Sequence, residues 1–196
     1  MSRTAVTPEN LIELLESRVS ASLKAMDGSG PSDEEVEQLI AAAATAPDHG
    51  RLTPYRFMKV SMEGRRRLGD LFEAAQKERN LHASPETLER ARQKAYRGPC
   101  LLVLIGCIRS ELETGIPEDE QLVTAGAALQ NLLVAATAMG YASRVTSGRG
   151  ARSPLFHKGL GLQENERFLC FVSLGHVALP RTAKGRPEPS SLLSEF

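Results

Sequence analysis

The run Cys100-Leu101-Leu102-Val103-Leu104-Ile105 is apolar at every position, and this continuity constrains the fold more than any other feature of the chain. A strand with one wet face alternates polar and apolar residues; an unbroken run predicts a strand buried on both faces, in the interior of a sheet. Helices must then cover both sides of that sheet.

The rest of the chain supplies them. Thr7 and Pro8 make an N-cap and first-turn pair for a helix carrying Leu11, Ile12, Leu14 and Leu15 and ending near Arg18. Ser32 with Glu35 is a capping box opening a second helix, whose core face holds Val36, Leu39, Ile40 and Ala43 and which Pro47 closes. Tyr55 to Met62 reads as a strand and Glu63 to Glu78 as a charged amphipathic helix. Ser84-Pro85 opens another, and both charged helices are expected to face solvent. The longest helix, Asp119 to Met139, mixes Ala125, Gly126, Ala127, Ala128, Ala135, Ala136 and Ala138 with leucines, which implies a central helix that other backbones approach closely. Gly140 ends it, and Tyr141 to Thr146 and Phe168 to Val177 read as further strands. Helices outnumber strands and do not strictly alternate with them, which predicts an α+β sandwich rather than a doubly wound parallel sheet. The proline-containing tail from Leu179 onwards has no place in that core and is expected to extend over a neighbouring subunit.

Composition narrows the class. With 196 residues, 41% of them hydrophobic, and no linker-like stretch, residues 1–196 are expected to form a single domain. Twenty-four basic residues balance 24 acidic ones, so no overall field favours nucleic acid or an anionic membrane as partner. The segment Met1 to Pro8 lacks the apolar run of a leader and Cys100 to Ile108 is too short to span a bilayer, which together predict a cytoplasmic protein. Cys100, Cys107 and Cys170 are an odd set without metal-ligand spacing, as expected of buried reduced thiols. Neither a nucleophile elbow nor a metal-binding His or Cys cluster is present, so no metal is expected.

Two segments carry candidate chemistry. From Ala46 to Phe57 a helix end, a polar turn and a strand start follow one another, leaving His49 and Arg51 on the turn with Asp48 placed to orient the imidazole. Arg18, at the end of the first helix, offers a planar fork suited to a phosphate, and the Ser20 hydroxyl adds a neutral donor. The glycine-rich segment Ser147-Gly148-Arg149-Gly150-Ala151-Arg152 lacks the Lys-Ser/Thr ending of a P-loop and is expected to be a solvated basic loop.

Arg18-Val19-Ser20-Ala21-Ser22, Ala46-Pro47-Asp48-His49 with Pro54-Tyr55-Arg56-Phe57, Arg97-Gly98-Pro99, and Gly140-Tyr141 with Ser147-Gly148 occur in this order. In that order they resemble the small nitroreductases over nearly the whole chain, most closely the compact NAD(P)H nitroreductase subgroup. The resemblance implies a three-layer sandwich: a mostly antiparallel or mixed sheet flanked by helices, with an extended C-terminal tail. It also implies a homodimer holding FMN at the subunit interface, NADH or NADPH as electron donor, and ping-pong hydride transfer to a small electron acceptor such as a nitroaromatic or quinone. By residue-for-residue correspondence the resemblance implies that Arg18, Val19 and Ser20 bind FMN from one subunit, that Thr45 and His49 contribute from the turn after the second helix, and that Val145, Thr146 and Ser147 form a further contact. The chain departs from the subgroup at Val19, where a second arginine is usual, at Thr53 and Tyr55 for glutamine and tryptophan, and at Val145-Thr146-Ser147 for Trp-Arg-Ser. Arg144, Arg149 or Arg51 are the sequence-adjacent candidates for the missing charge. The alternative reading is a non-catalytic flavin- or ligand-binding module, a sensor or store in which these departures have ended turnover.

Overall fold

Local signals open most of the helices. In the computed structural model, which describes residues 7–26, 28–179 and 185–196, Thr7 caps α1 (Pro8–Ser17) by accepting from the Asn10 N–H. Ser32 and Glu35 form a reciprocal capping box at the start of α2 (Asp33–Ala43), each side chain accepting from the other's backbone N–H. Strand β1 (Tyr55–Lys59) stops three residues short of the expected end at Met62, because the Ser61 hydroxyl caps α3 (Met62–Arg79) through the Gly64 N–H at 3.0 Å. Then come α4 (Pro85–Arg92), β2 (Cys100–Cys107), the short α5 (Glu111–Thr114), α6 (Glu118–Ala138), β3 (Ala142–Thr146), α7 (Pro154–Gly159) and β4 (Glu166–Gly175).

The strands form one sheet in the order β1-β2-β4-β3, and all three ladders are antiparallel. Strand β2 lies inside it, with β1 on one side and β4 on the other. Its side chains alternate between two cores: Cys100, Leu102 and Leu104 pack with α2 and α6, while Leu101, Val103 and Ile105 pack with α3 and α7. Both faces are thus covered by helices, as the unbroken apolar run requires.

In β4 the alternation is broken. The register with β2 shifts between Leu104 and Ile105, so Leu169 and Cys170 both face the α2–α6 side, whereas Phe168 and Phe171 both face the other. The two rings consequently meet at a centroid separation of 4.7 Å.

Helix α6 places Ala125, Ala128, Leu132 and Ala136 at full burial, and its small side chains let α2 and the sheet approach. Among the described residues it is the one helix long and apolar enough to cross a membrane by length and composition; here it is the core helix of one face. Helix α3 departs from expectation. Instead of lying in solvent it buries Arg65, Leu68, Gly69 and Ala75, while charges on its outer face are met by Arg92 of α4, which bridges Asp70 and Glu73.

Candidate functional site

The segment after α1 lies along the free edge of β3. Ser20 forms a parallel bridge with Ser143, and the Ala21 N–H donates to the Ser143 carbonyl at 2.9 Å. This extra rung puts Arg18, Val19 and Ser20 beside the strand that carries Val145 and Thr146 and leads to Ser147. The two segments, far apart in sequence, are therefore neighbours. The Arg18 carbonyl also accepts from Arg186 Nη2 at 3.1 Å, which ties the C-terminal tail to the same place.

Next to them a cavity of about 260 Å³ opens on the α3 side of the sheet. Phe72, Ala75, Leu101 and Phe171 give it apolar walls, Thr146, Ser147, Gly148 and Gly150 form one lip, and Arg79, Lys94 and Arg97 carry the charge. Among the described residues none of these three cations makes a hydrogen bond or an ion pair. Burial, then the neighbouring Arg97 and Arg79 guanidinium groups, hold the Lys94 pKa below its ordinary value. Three like charges without a counter-charge, around an apolar slot, favour a flat ligand that brings negative charge or electron-rich oxygens with it.

Among the described residues that line the cavity the cations are Arg79, Lys94 and Arg97, which differ from the sequence-adjacent candidates Arg144, Arg149 and Arg51. Arg144, on β3, sends its guanidinium to the Ala21 carbonyl at 3.5 Å, and Arg51 is exposed on the turn after α2. The Arg149 side chain lies outside what is described. Lys94 was not singled out, and Arg97 entered only through the Arg97-Gly98-Pro99 motif; the available signal was that motif's position directly before a fully buried strand. The Ser147–Arg152 segment is likewise not a purely solvated loop, since Ala151 is 2% exposed and the segment walls the cavity. The reason is packing: Ala151 joins the core made by Phe156, Phe168 and Phe171.

Thr45 and His49 form a separate cluster at the end of α2, against α6. The Thr45 hydroxyl donates to Ala42 O at 2.8 Å and accepts from Asn131 Nδ2 at 3.1 Å. His49 Nδ1 lies 2.8 Å from Glu120 Oε2, so its partner is not the neighbouring Asp48. That carboxylate instead accepts from the Leu52 N–H at 3.1 Å and the Thr53 N–H at 2.7 Å. It thereby holds a turn in which Gly50, Arg51 and Thr53 all have positive φ, of 70°, 54° and 47°. No hydrogen bond among the described residues joins this cluster to the Arg18–Ser20 and Val145–Ser147 group.

The sequence model of the nitroreductase family matches residues 15–176. A Haemophilus influenzae protein assigned by name to the NAD(P)H nitroreductases is 31% identical over 152 residues, covering 78% of this chain and 81% of that relative. The Escherichia coli K12 protein YdjA, assigned by name in the same way, is 28% identical over 186 residues, 94% of this chain and 98% of its own length. Among solved structures, a nitroreductase-like family protein from Bacillus cereus superposes with a TM-score of 0.80 at 20% identity, covering 100% of this chain and 99% of its own. The NADPH:FMN oxidoreductase of Vibrio harveyi, solved with NAD+, gives 0.68 at 22% identity over 95% of this chain and 76% of that one. At such identities these two establish a shared fold.

Proposed function

The chain belongs to the nitroreductase family and is an oxidoreductase, and from that premise we propose that it is an FMN-dependent enzyme that takes electrons from NADH or NADPH and delivers them to small electron-poor acceptors. The observation that carries this reading is the apolar cavity walled by the adjoining rings of Phe72 and Phe171, with Arg79, Lys94 and Arg97 on its lining and no counter-charge to them among the described residues. Those residues fit the cofactor: the walls suit a fused aromatic ring, and the cations suit its carbonyl oxygens and its phosphate. At about 260 Å³ the cavity would hold a ring system, and Arg18 and Ser20 would be available to the cofactor's polar groups.

Bound FMN would supply a two-electron carrier able to accept a hydride from NAD(P)H and pass it on. The protein's own residues would bind, orient and tune. Arg18 provides a permanently charged fork and Ser20 an exposed hydroxyl. Lys94 and Arg97 would offset negative charge developing on the ring during reduction, an arrangement that needs no reorganisation at the moment of transfer. The segment Val145 to Ser147 would contribute backbone N–H groups rather than side-chain charge. Thr45 would act through its carbonyl, since its hydroxyl is engaged with Ala42 and Asn131 and its N–H donates to Ala42 O.

His49 and Thr45 would complete the site of a second subunit in a homodimer. That no hydrogen bond among the described residues joins the two groups within one chain accords with this, as do Leu11, Ile12 and Leu15 of α1, which are 45%, 55% and 41% exposed, an apolar stripe of the kind that a partner subunit covers.

The test is an absorption spectrum of the purified protein after reconstitution with FMN, repeated anaerobically with NADH and then NADPH. Stoichiometric flavin that bleaches supports the enzyme and identifies its donor. Flavin that binds but does not bleach returns the non-catalytic binding module, and protein that takes up no FMN overturns the cofactor.

A further inference from the structure

Arg65, in the first turns of α3, is 3% exposed, and among the described residues it has no carboxylate partner. Its guanidinium is engaged by three carbonyls: Nη1 donates to Ala95 O at 2.8 Å, and Nη2 donates to Gly98 O at 2.9 Å and Pro99 O at 3.0 Å. Burying a full charge against neutral acceptors is unfavourable, and an apolar side chain would fill the same space at lower cost. What the guanidinium holds therefore matters. All three acceptors lie in the short connection that leads into β2, and Lys94 and Arg97, interleaved with them, line the cavity. The same connection is pinned from the opposite side. Gly98 has φ +72°, and a Cβ there would come within 3.0 Å of Ser173 Cβ, a residue that also lines the cavity.

We propose that Arg65 is a positioning residue: by gripping the Ala95–Pro99 connection it sets Lys94 and Arg97 at the cavity before any ligand arrives. The identity of that ligand rests on the flavin reading above; the positioning itself does not. The step from charge to function is preorganisation, since a connection whose backbone is already fixed leaves less ordering entropy to lose when an anion binds.

The experiment compares wild type, Arg65→Lys, Lys94→Met and the double variant for FMN dissociation constant and for the midpoint potential of bound FMN. A lysine keeps the charge but cannot span three carbonyls as a fork does. Expected is about tenfold weaker FMN binding in R65K, with a more negative potential, in a protein that still unfolds cooperatively. The double variant should be no worse than the poorer single one, because both changes remove the same interaction. R65K that matches wild type, or penalties that add, overturns the proposal. Arg65→Gln serves as the second variant, and if both variants fail to fold, the side chain serves the core alone and the proposal falls. Should wild type take up no FMN, the flavin reading fails by itself; the same four proteins titrated with the flat anion anilinonaphthalene sulfonate then test Arg65, with weaker, non-additive binding expected. Wild type that binds neither probe overturns both.

Discussion

Arg56 of β1 and Glu166 of β4 meet across the intervening strand β2, with Nε to Oε1 at 2.5 Å and Nη2 to Oε2 at 2.9 Å. The pair closes one end of the sheet. The Gln163 N–H and the Cys107 thiol also donate to the Glu166 carboxylate. Chiefly through Arg56, this environment moves its pKa from the ordinary 4.5 down to about 2. A lowered carboxylate pKa stabilises the fold above the unfolded value and loses that stabilisation as pH falls through the folded one. Stability should therefore decline between about pH 4.5 and pH 2. Glu166→Gln should flatten that part of the profile and cost on the order of 3 kcal/mol at neutral pH, as read by urea denaturation across the range.

His49 and Glu120 also form a pair, but a wet one, their side chains being 69% and 50% exposed. Such pairs contribute little to stability, so Glu120→Gln should change the unfolding free energy by less than about 1 kcal/mol. On the proposed reading His49→Ala should nonetheless weaken FMN binding. A fluorescence titration of both variants separates the two effects, and an unchanged dissociation constant in H49A would remove His49 from the cofactor site.

The turn that carries His49 depends on Asp48. Asp48→Ala strips the acceptors from the Leu52 and Thr53 amides while leaving two non-glycine residues in left-handed conformations. A loss of about 1–3 kcal/mol is expected in chemical denaturation. Gly50→Ala should be at least as damaging, because its Cβ would sit 2.4 Å from Ile116 Cδ1 at a φ of +70°.

For the cavity cations the expectation has the opposite sign in stability and in binding. Lys94→Met relieves repulsion from Arg97 and Arg79, so the ligand-free protein should be no less stable, while affinity for FMN falls and depends less on salt. Calorimetric titration at two ionic strengths checks this; binding that is equally tight and equally salt-sensitive would exclude Lys94 from the site.

Removal of residues 185–196 tests the tail. Its Leu192, Leu193 and Phe196 are exposed in the single chain, and Arg186 reaches the Arg18 carbonyl. Truncation should weaken the proposed dimer and release flavin together, read by light scattering and absorbance. The segment between Leu179 and Gly185 lies outside the described residues, so the expected crossing to a partner is tested by this experiment.

What was legible in the sequence was whatever short-range chemistry specifies. The unbroken run from Cys100 to Ile105 determined that a strand would be covered on both faces, the Ser32–Glu35 box and the Thr7 cap determined where helices begin, and small residues from Ala125 to Ala136 determined a closely packed central helix. Each rests on neighbours within a turn or two. Even there, local competition moved one boundary, when Ser61 capped a helix inside the expected strand.

Only the tertiary structure decided the partnerships. His49 was drawn to Glu120, 71 positions away, rather than to adjacent Asp48, and Arg56 to Glu166 at a separation of 110. Among the described residues the cavity's charge comes from Arg79, Lys94 and Arg97, which α3 and the connection before β2 bring to one place. The physical reason is the same throughout. Caps and apolar periodicity are set by the chain's own stereochemistry, whereas the partner of a charged side chain is set by which faces are pressed together, and no spacing along the sequence records that.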